Sequence, residues 1–283
     1  MGALDPADTI RAAATARLGA RYGLDTWPAP PVWNETLDLL LSHRSVRRFT
    51  AEPLAPGVLE TLVAAAQSAP SSSNLQVWSV VAVENPQRKA RLAALAGDQA
   101  FIREAPLFLV WLVDHHKLRA AAEAQGRAAK ALDYLESFLL GAVDTALAAQ
   151  NATTALESLG LGATYVGAIR NRPLEVAAEL GLPPHLFALF GMAVGRPDPQ
   201  FVTEVKPRLP QAAVLFRELY DWGPGQAAAL EAYNPRLRAF QRGQGMAEQD
   251  WTLQAINRTA GPQSMAGRHL LQEVLHELGF ALR

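Results

Sequence analysis

The segment from about Ala129 to Leu159 is the longest one with helical character, and small or apolar side chains occupy almost every face of it. A helix of this kind has no polar face to turn toward solvent, so we expect it to be buried all round. Its polar exceptions, Asp144, Gln150 and Asn151, then need hydrogen-bond partners inside the protein.

Four short segments rich in β-branched or apolar residues are predicted to be strands, and helices are predicted between and around them. The predicted strands are 77–83, 107–113, 163–166 and 187–194, and the predicted helices, besides 129–159, are 6–21, 34–42, 56–68, 173–180, 211–220, 227–240, 248–257 and 267–278. Because strands and helices do not alternate regularly, the pattern favours an α+β fold.

Two segments of turn-forming residues divide the chain. Residues 27–31 form a proline-rich connector that stops the first helix, and Arg242–Gly245 is predicted to be a mobile loop. We predict an N-terminal helical extension (1–32), a core (33–210) and a C-terminal helical excursion and arm (211–283).

Composition excludes several classes of protein. Hydrophobic residues make up 49% of the 283 residues and the formal net charge is −1, so no general attraction to nucleic acid or anionic lipid is expected. The chain has no cysteine, which excludes disulfides and thiolate chemistry. The longest apolar stretch, 138–150, is too short to span a bilayer, and no signal-peptide core precedes it. The sequence predicts a cytoplasmic protein without membrane or nucleic-acid partners.

Two basic clusters are candidates for binding phosphate. His43, Arg44, Ser45 and Arg47 place donors within five residues at a helix end, and a guanidinium donates two parallel hydrogen bonds to an oxyanion. Lys206 and Arg208 alternate along a proline-flanked, extended segment, so both can point toward one phosphate. The alternatives are a solvated basic turn and a solvated linker.

Two further segments are candidates for contact with a flat, polar ligand. The loop 71–76 carries hydroxyls and amides that both donate and accept, which matches the edge of a flavin pyrimidine, although an ordinary polar loop has the same composition. Segment 160–167 contains three glycines, but their spacing and the helix-before-strand order do not fit a dinucleotide fingerprint. Its glycines allow close backbone approach to a ligand.

Hydrolase and metal motifs do not occur in the sequence. Neither G-x-S-x-G nor H-E-x-x-H is found. His115 and His116 would face opposite ways in a strand, so joint metal chelation is not expected. The sequence therefore predicts no metal and no side chain that must act as a catalytic acid or base.

Six segments in register resemble the nitroreductase family, and specifically its NADPH-dependent branch of oxygen-insensitive nitroreductase A and flavin reductase P. The resemblance runs from about Leu37 to Arg283, and its segments are 43–49, 71–76, 141–151, 157–162, 165–171 and 206–210. It implies a nitroreductase-like, FMN-dependent fold, with a central mostly antiparallel sheet flanked by helices, in an intertwined homodimer that holds one FMN in each of two interfacial sites.

The resemblance also implies roles for particular residues. FMN phosphate and pyrimidine atoms would be bound by His43, Arg44, Ser45 and Arg47, with Lys206 and Arg208 as a phosphate clamp. The flavin ring would be contacted by Ser71, Ser72, Ser73, Asn74, Gln99, Tyr165, Val166, Gly167 and Ala168. Arg242 would bind the NADPH 2′-phosphate, and Arg268 would lie at the substrate mouth.

Two positions depart from the branch: Ala168 replaces a usual second glycine, and Asn74 stands at the mouth, where it could alter substrate choice. The activity implied is ping-pong hydride transfer from NAD(P)H to small acceptors such as nitroaromatics, quinones, azo compounds or free flavin. The alternatives are another enzyme of this fold, such as a dehalogenase-like relative, and a flavin-binding protein without electron transfer.

Overall fold

The computed structural model describes residues 6–23 and 32–283, so the predicted proline-rich connector 27–31 lies outside the described residues. The chain forms two compact units. Unit 1 contains Met1–Arg44 and Val202–Ser264, and unit 2 contains Ser45–Phe201 and Met265–Arg283. The division into three regions made from the sequence stays a prediction.

Unit 2 is built on a four-stranded sheet. Its strands are β1 (Trp78–Val83), β2 (Leu107–Asp114), β3 (Gly162–Val166) and β4 (Leu186–Gly195), in the order β1-β2-β4-β3. All neighbouring strands are antiparallel. The four predicted strands and the α+β class are confirmed, with strand ends that differ by one residue.

Strand β2 is buried along its whole length because helices cover both faces of the sheet. Successive side chains of a strand point to opposite faces, so Phe108 and Val110 join one apolar core while Leu109 and Trp111 join another. The first face is covered by α4 (Pro86–Leu95), α5 (Ala100–Glu104) and α8 (Pro173–Leu180), and the second by α3 (Val58–Gln67) and α7 (Leu135–Ser158).

Helix α7 packs closely against the sheet through small residues. A Cβ added at Gly141 would lie 2.6 Å from Cγ1 of Val113, so only glycine allows this approach. Ala148 and Ala152 are fully buried about two and three turns further on. The long helix predicted over about 129–159 is confirmed over Leu135–Ser158, whereas Lys130–Asp133 form a 3-10 turn before it.

Within a single chain this helix is not buried all round, contrary to the prediction. Leu135, Leu139, Val143 and Leu147 recur every four residues and are between 39% and 57% exposed. The helix uses its small residues to pack, which leaves its large apolar side chains on the opposite face. We name these four residues the α7 stripe.

The last residues of the chain close one end of unit 2. After a 3-10 turn at Arg268–Leu270, α11 (Leu271–Glu277) begins, and Leu275 and Phe280 pack against Val113 and Phe187. Helix α6 (His116–Ala124) follows β2 directly. None of the helices in the described part of the chain is long and apolar enough to cross a membrane.

Unit 1 contains four α-helices among the described residues, at α1 (Pro6–Tyr22), α2 (Glu35–Leu41), α9 (Pro224–Gly243) and α10 (Trp251–Arg258). Ala14 and Leu18 of α1 are buried, and Arg17 pairs with Asp38 of α2 at 2.8 Å. That bidentate pair lowers the pKa of the Asp38 carboxyl.

Two predictions for unit 1 are wrong. In place of a helix over 211–220, only Gln211–Ala213 form a 3-10 turn, because Glu218 is left-handed (φ 63°) and residues 214–220 lack a buried face to support a helix. In place of a mobile loop at Arg242–Gly245, α9 continues to Gly243, and Gly245 (φ 63°) follows in a left-handed turn.

Candidate functional site

The two basic segments of unit 1 are His43–Arg44, which follows α2, and Lys206–Arg208. Lys206 and Arg208 are exposed and alternate with buried Pro207, as predicted for an extended segment. The Lys206 ammonium also lies 5.5 Å from the ring centroid of Phe240. Among the described residues, no carboxylate pairs with Arg44 or Arg208, whereas Arg17, Arg238 and Arg242 of the same unit each pair with one. Guanidiniums without a carboxylate partner can donate hydrogen bonds to a phosphate.

In unit 2, the segment from Ser45 onward lies along the sheet edge at β3. The backbone N–H of Val46 donates to the carbonyl of Ala163 at 2.9 Å, and Ser45 forms a parallel bridge with Ala163. A Cβ at Gly162 would lie 2.5 Å from Cγ2 of Val46. The close approach at Gly162 therefore serves the chain itself and not a ligand, which corrects our expectation for this glycine. Ser45 is half-buried, and Arg47 is exposed beside it.

The loop 71–76 is held by one buried carboxylate. Asp144 of α7 is 2% exposed and accepts hydrogen bonds from Ser71 Oγ (2.6 Å) and from the backbone N–H groups of Ser72 and Val77 (3.2 Å each). Ser71 Oγ in turn accepts the N–H of Gln76 at 2.7 Å. These bonds give Asp144 the partners that its burial requires.

The backbone of this loop adopts an unusual conformation. Ser73, Asn74 and Gln76 all have left-handed φ values, between 49° and 54°. Such values are uncommon outside glycine and persist where the surroundings enforce them. Ser72, Ser73 and Asn74 are exposed, so the loop presents hydroxyl and amide groups to whatever binds there.

Tyr165 to Ala168 form the end of β3 and the start of a 3-10 turn, Gly167–Asn171. The Tyr165 ring packs edge-on against Phe190 at 5.2 Å, and its hydroxyl bonds to Thr153 Oγ1 at 2.9 Å. Burial raises the pKa of this hydroxyl. Val166 is buried, and Ala168 packs against the core, so backbone rather than side chain is presented at these two positions.

Gly167 lies beside two guanidiniums. A Cβ placed there would be 3.5 Å from Nη2 of Arg170 and 3.8 Å from Nη1 of Arg268. Burial and, secondarily, the charge of Arg268 lower the pKa of Arg170, whose Nη1 donates to the carbonyl of Leu189. The structure thus brings the predicted substrate residue Arg268 next to the predicted flavin segment.

Gln99 is half-buried and precedes α5. A Cβ at Gly97, two residues earlier, would lie 3.8 Å from Nε2 of Gln99 and 3.7 Å from Nδ2 of Asn171. Gln99 therefore lies near the residue that ends the Gly167 turn. Oδ1 of Asn171 is buried without a hydrogen-bond partner.

Arg242 stands in the last turn of α9 and makes a bidentate ion pair with Glu248, at 2.9 and 3.0 Å. The hydrogen bond to Glu248 raises the pKa of Arg242. A nucleotide phosphate that binds Arg242 must therefore compete with a carboxylate already in place.

The two adjacent histidines do not lie in a strand as the sequence analysis assumed. His115 is fully buried directly after β2, and His116 begins α6. Within the described ranges, no group of three or more His, Asp or Glu side chains is arranged to hold a metal ion.

The sequence analysis assigned no role in this site to two residues, Asp144 and Arg170. Asp144 gave a signal, since a lone carboxylate in an apolar helix must find donors, but its partners are 67 to 73 positions away in sequence. Arg170 gave none, because its place beside Gly167 and Arg268 depends on how the C-terminal arm folds back.

The antiparallel sheet of unit 2, covered by helices on both faces, defines an α+β protein. The nitroreductase family matches residues 40–196, and the nitroreductase family C-terminal domain matches residues 206–283. The chain belongs to the nitroreductase family, as its sequence segments indicated.

Relatives at about 35% identity match this chain over nearly the whole of their own length. An FMN reductase (NADPH) of Bacillus subtilis is 34% identical over 87% of this chain and 98% of that relative. An oxygen-insensitive NADPH nitroreductase of Salmonella typhimurium is 37% identical over 88% of this chain and 99% of its own length. The solved NADPH:FMN oxidoreductase of Vibrio harveyi complexed with NAD+ has a TM-score of 0.78 and 34% identity, covering 88% of this chain and 100% of that one.

Proposed function

We propose that this chain is an FMN-dependent NAD(P)H oxidoreductase that reduces small acceptors such as nitroaromatics, quinones or free flavin. The observation that carries this proposal is its end-to-end similarity to NADPH-dependent FMN reductases and nitroreductases, with matches over 98% and 99% of two relatives. The alternatives, a dehalogenase-like enzyme and an inert flavin-binding protein, gain no support from these relatives.

The site residues predicted from the sequence are part of this proposal. His43, Arg44, Lys206 and Arg208 bind the phosphate of FMN, assisted by Ser45 and Arg47. The loop from Ser71 to Asn74 and the segment from Tyr165 to Ala168 contact the ring, with Gln99 nearby. When bound, FMN supplies the group that accepts hydride from the nicotinamide and passes the electrons on.

The protein's own contribution is binding, orientation and charge. Asp144 already holds the loop through Ser71 and the backbone of Ser72, so the exposed side chains of 72–74 need little reorganisation when the ring arrives. Arg170 and Arg268 beside Gly167 provide positive charge next to the ring segment. NADPH is proposed as the donor, with Arg242 binding its 2′-phosphate and Arg268 at the substrate mouth.

We further propose a cytoplasmic homodimer. The α7 stripe supports the dimer, because four large apolar residues in line on one helix face mark an interface rather than a solvated surface. A C2 dimer would bury this face against a second copy of the chain. The cytoplasmic location is tested by cell fractionation.

The test of the proposed function is an anaerobic absorbance titration of the purified protein, first with NADPH and then with NADH. We expect bound flavin to bleach at about one NADPH per FMN and more slowly with NADH. Flavin that neither nucleotide bleaches would leave the fold assignment intact but overturn the activity. A protein that binds no FMN would overturn every flavin-based function.

A further inference from the structure

Helix α1 lies outside both family matches, which begin at residue 40 and residue 206, yet it ends in direct contact with the two basic segments. Arg21, in its last turn, is only 7% exposed. Its guanidinium donates to the carbonyls of Leu41 (2.9 Å), His43 (2.8 Å) and Lys206 (3.0 Å). One side chain therefore joins the two segments of unit 1 that carry the phosphate-binding candidates.

The backbone of Arg21 completes the connection. Its carbonyl accepts the N–H of Arg208 at 2.7 Å, while its side chain holds the carbonyl of Lys206 two residues earlier. Between them, the carbonyl of Pro207 accepts the hydroxyl of Tyr233 at 2.7 Å. Three successive polar groups of this backbone are thus fixed, while the side chains of Lys206 and Arg208 stay exposed.

This arrangement suits an arginine in particular. The planar guanidinium has donors along several edges and can reach carbonyls on both segments at once, whereas a lysine ammonium is a single point with no fixed directions. Fixing two cationic segments before a ligand arrives reduces the entropy lost on binding.

We propose that Arg21 is a positioning residue that holds His43–Arg44 and Lys206–Arg208 ready for the phosphate of FMN. The N-terminal helix is then part of the cofactor site and not an appendage. This inference rests on the proposed function, because it takes FMN phosphate as the ligand of the two segments. It predicts that loss of Arg21 weakens binding of the phosphate and leaves binding of the ring unchanged.

The test compares the affinity of the apoprotein for FMN and for riboflavin, which has the same ring but no phosphate, by flavin fluorescence quenching. We expect Arg21→Ala to weaken FMN binding about tenfold or more and to change riboflavin binding less than about twofold. Arg21→Lys is expected to fall between the two proteins. If Arg21→Ala does not fold, as judged by thermal melting, Arg21→Lys carries the test alone.

The matched control is Arg17→Ala. Arg17 lies one turn earlier on α1 and holds the helix to α2 through Asp38. The hydrogen bonds of its guanidinium go to Asp38 and not to either basic segment. We expect this variant to keep the preference for FMN over riboflavin. An equal loss in Arg17→Ala, an equal loss of FMN and riboflavin in Arg21→Ala, or unchanged binding in Arg21→Ala would each overturn the positioning role.

A further variant, Lys206→Ala, separates this inference from the function on which it rests. If the unmodified protein does not prefer FMN to riboflavin, or if Lys206→Ala keeps that preference, the proposed phosphate site is wrong and the inference falls with it. If both behave as expected and Arg21→Ala still binds like the unmodified protein, only the inference is overturned.

Discussion

At the scale of single residues, Asp144 determines whether the 71–76 loop keeps its shape. An amide in its place has one oxygen instead of two, so its NH2 group would face either Ser71 Oγ and the N–H of Val77 or the N–H of Ser72. We expect Asp144→Asn to lower the free energy of unfolding by about 1–3 kcal/mol, because buried donors lose their acceptor. It should also weaken flavin binding, measured by fluorescence quenching.

The matched control for this prediction is Glu136→Gln, the same kind of change at an exposed position of the same helix. Urea denaturation should give it the stability of the unmodified protein. An Asp144→Asn protein as stable as this control would mean that the carboxylate is dispensable for the loop.

Arg242 carries a second prediction at this scale. If it binds the 2′-phosphate, Arg242→Ala should raise the KM for NADPH about tenfold and leave the KM for NADH nearly unchanged, because only NADPH carries that phosphate. Glu248→Gln removes the competing carboxylate and should lower the KM for NADPH. Steady-state kinetics with both nucleotides measure the difference.

The control for this pair of variants is Arg196→Ala, which removes another exposed, ion-paired guanidinium. It should change neither KM. If Arg242→Ala changed the KM for NADPH and the KM for NADH equally, Arg242 would not discriminate between the two nucleotides.

At the scale of elements, the α7 stripe leads to a prediction about assembly. A C2 interface contains each substitution twice, so Leu139→Lys would place two cations in an apolar contact. We expect its dimer dissociation constant to rise at least about 100-fold, measured by sedimentation at several protein concentrations. Leu174→Lys, at an exposed leucine of α8, should leave the dimer intact. A protein that is monomeric before any substitution would contradict the interface itself.

The same scale shows what sequence patterns can predict. The four strands were found from their β-branched and apolar runs, because β-branched side chains pack well on a pleated, buried surface. The helix over 211–220 was not realised, because its apolar residues have nothing to pack against. The two faces of α7 could not be told apart, since hydropathy does not separate an alanine face that packs within the chain from a leucine face that does not.

For the candidate site, the types of residue could be predicted from the sequence, but the contacts that hold them in place could not. Serine, arginine and lysine clusters stand out as local patterns, whereas Arg21 acts through carbonyls at Leu41 and Lys206 that any sequence would provide. Contacts to backbone leave no trace in the sequence of the acceptor. Positioning residues of this kind therefore require a structure.

At the scale of the whole molecule, two histidines make stability depend on pH. The rings of His115 and His185 both pack near the Phe280 ring, with centroids 5.1 and 6.2 Å from it, and burial lowers the pKa of both imidazoles below the ordinary value of 6.5. The folded state then binds fewer protons than the unfolded state below pH 6.5. Stability should be complete above pH 6.5 and fall as the pH drops toward the folded-state pKa values.

The free energy of unfolding can fall by at most about 1.4 kcal/mol per pH unit for each histidine. Unfolding free energies measured by urea between pH 7.5 and pH 5 test it, above the range in which most carboxylates titrate. His115→Leu should flatten the dependence, and His269→Gln, at an exposed histidine, should not. Stability that is constant down to pH 5 would contradict the prediction.

The left-handed residues of the 71–76 loop set limits for anyone who diversifies this enzyme by random mutagenesis. Ser73, Asn74 and Gln76 occupy backbone angles that β-branched side chains avoid, so variants with valine, isoleucine or threonine there should be depleted before any screen for turnover begins. Glycine, asparagine and aspartate remain compatible with these angles. In a library whose codons at these positions encode only those residues, a larger fraction of the variants should fold.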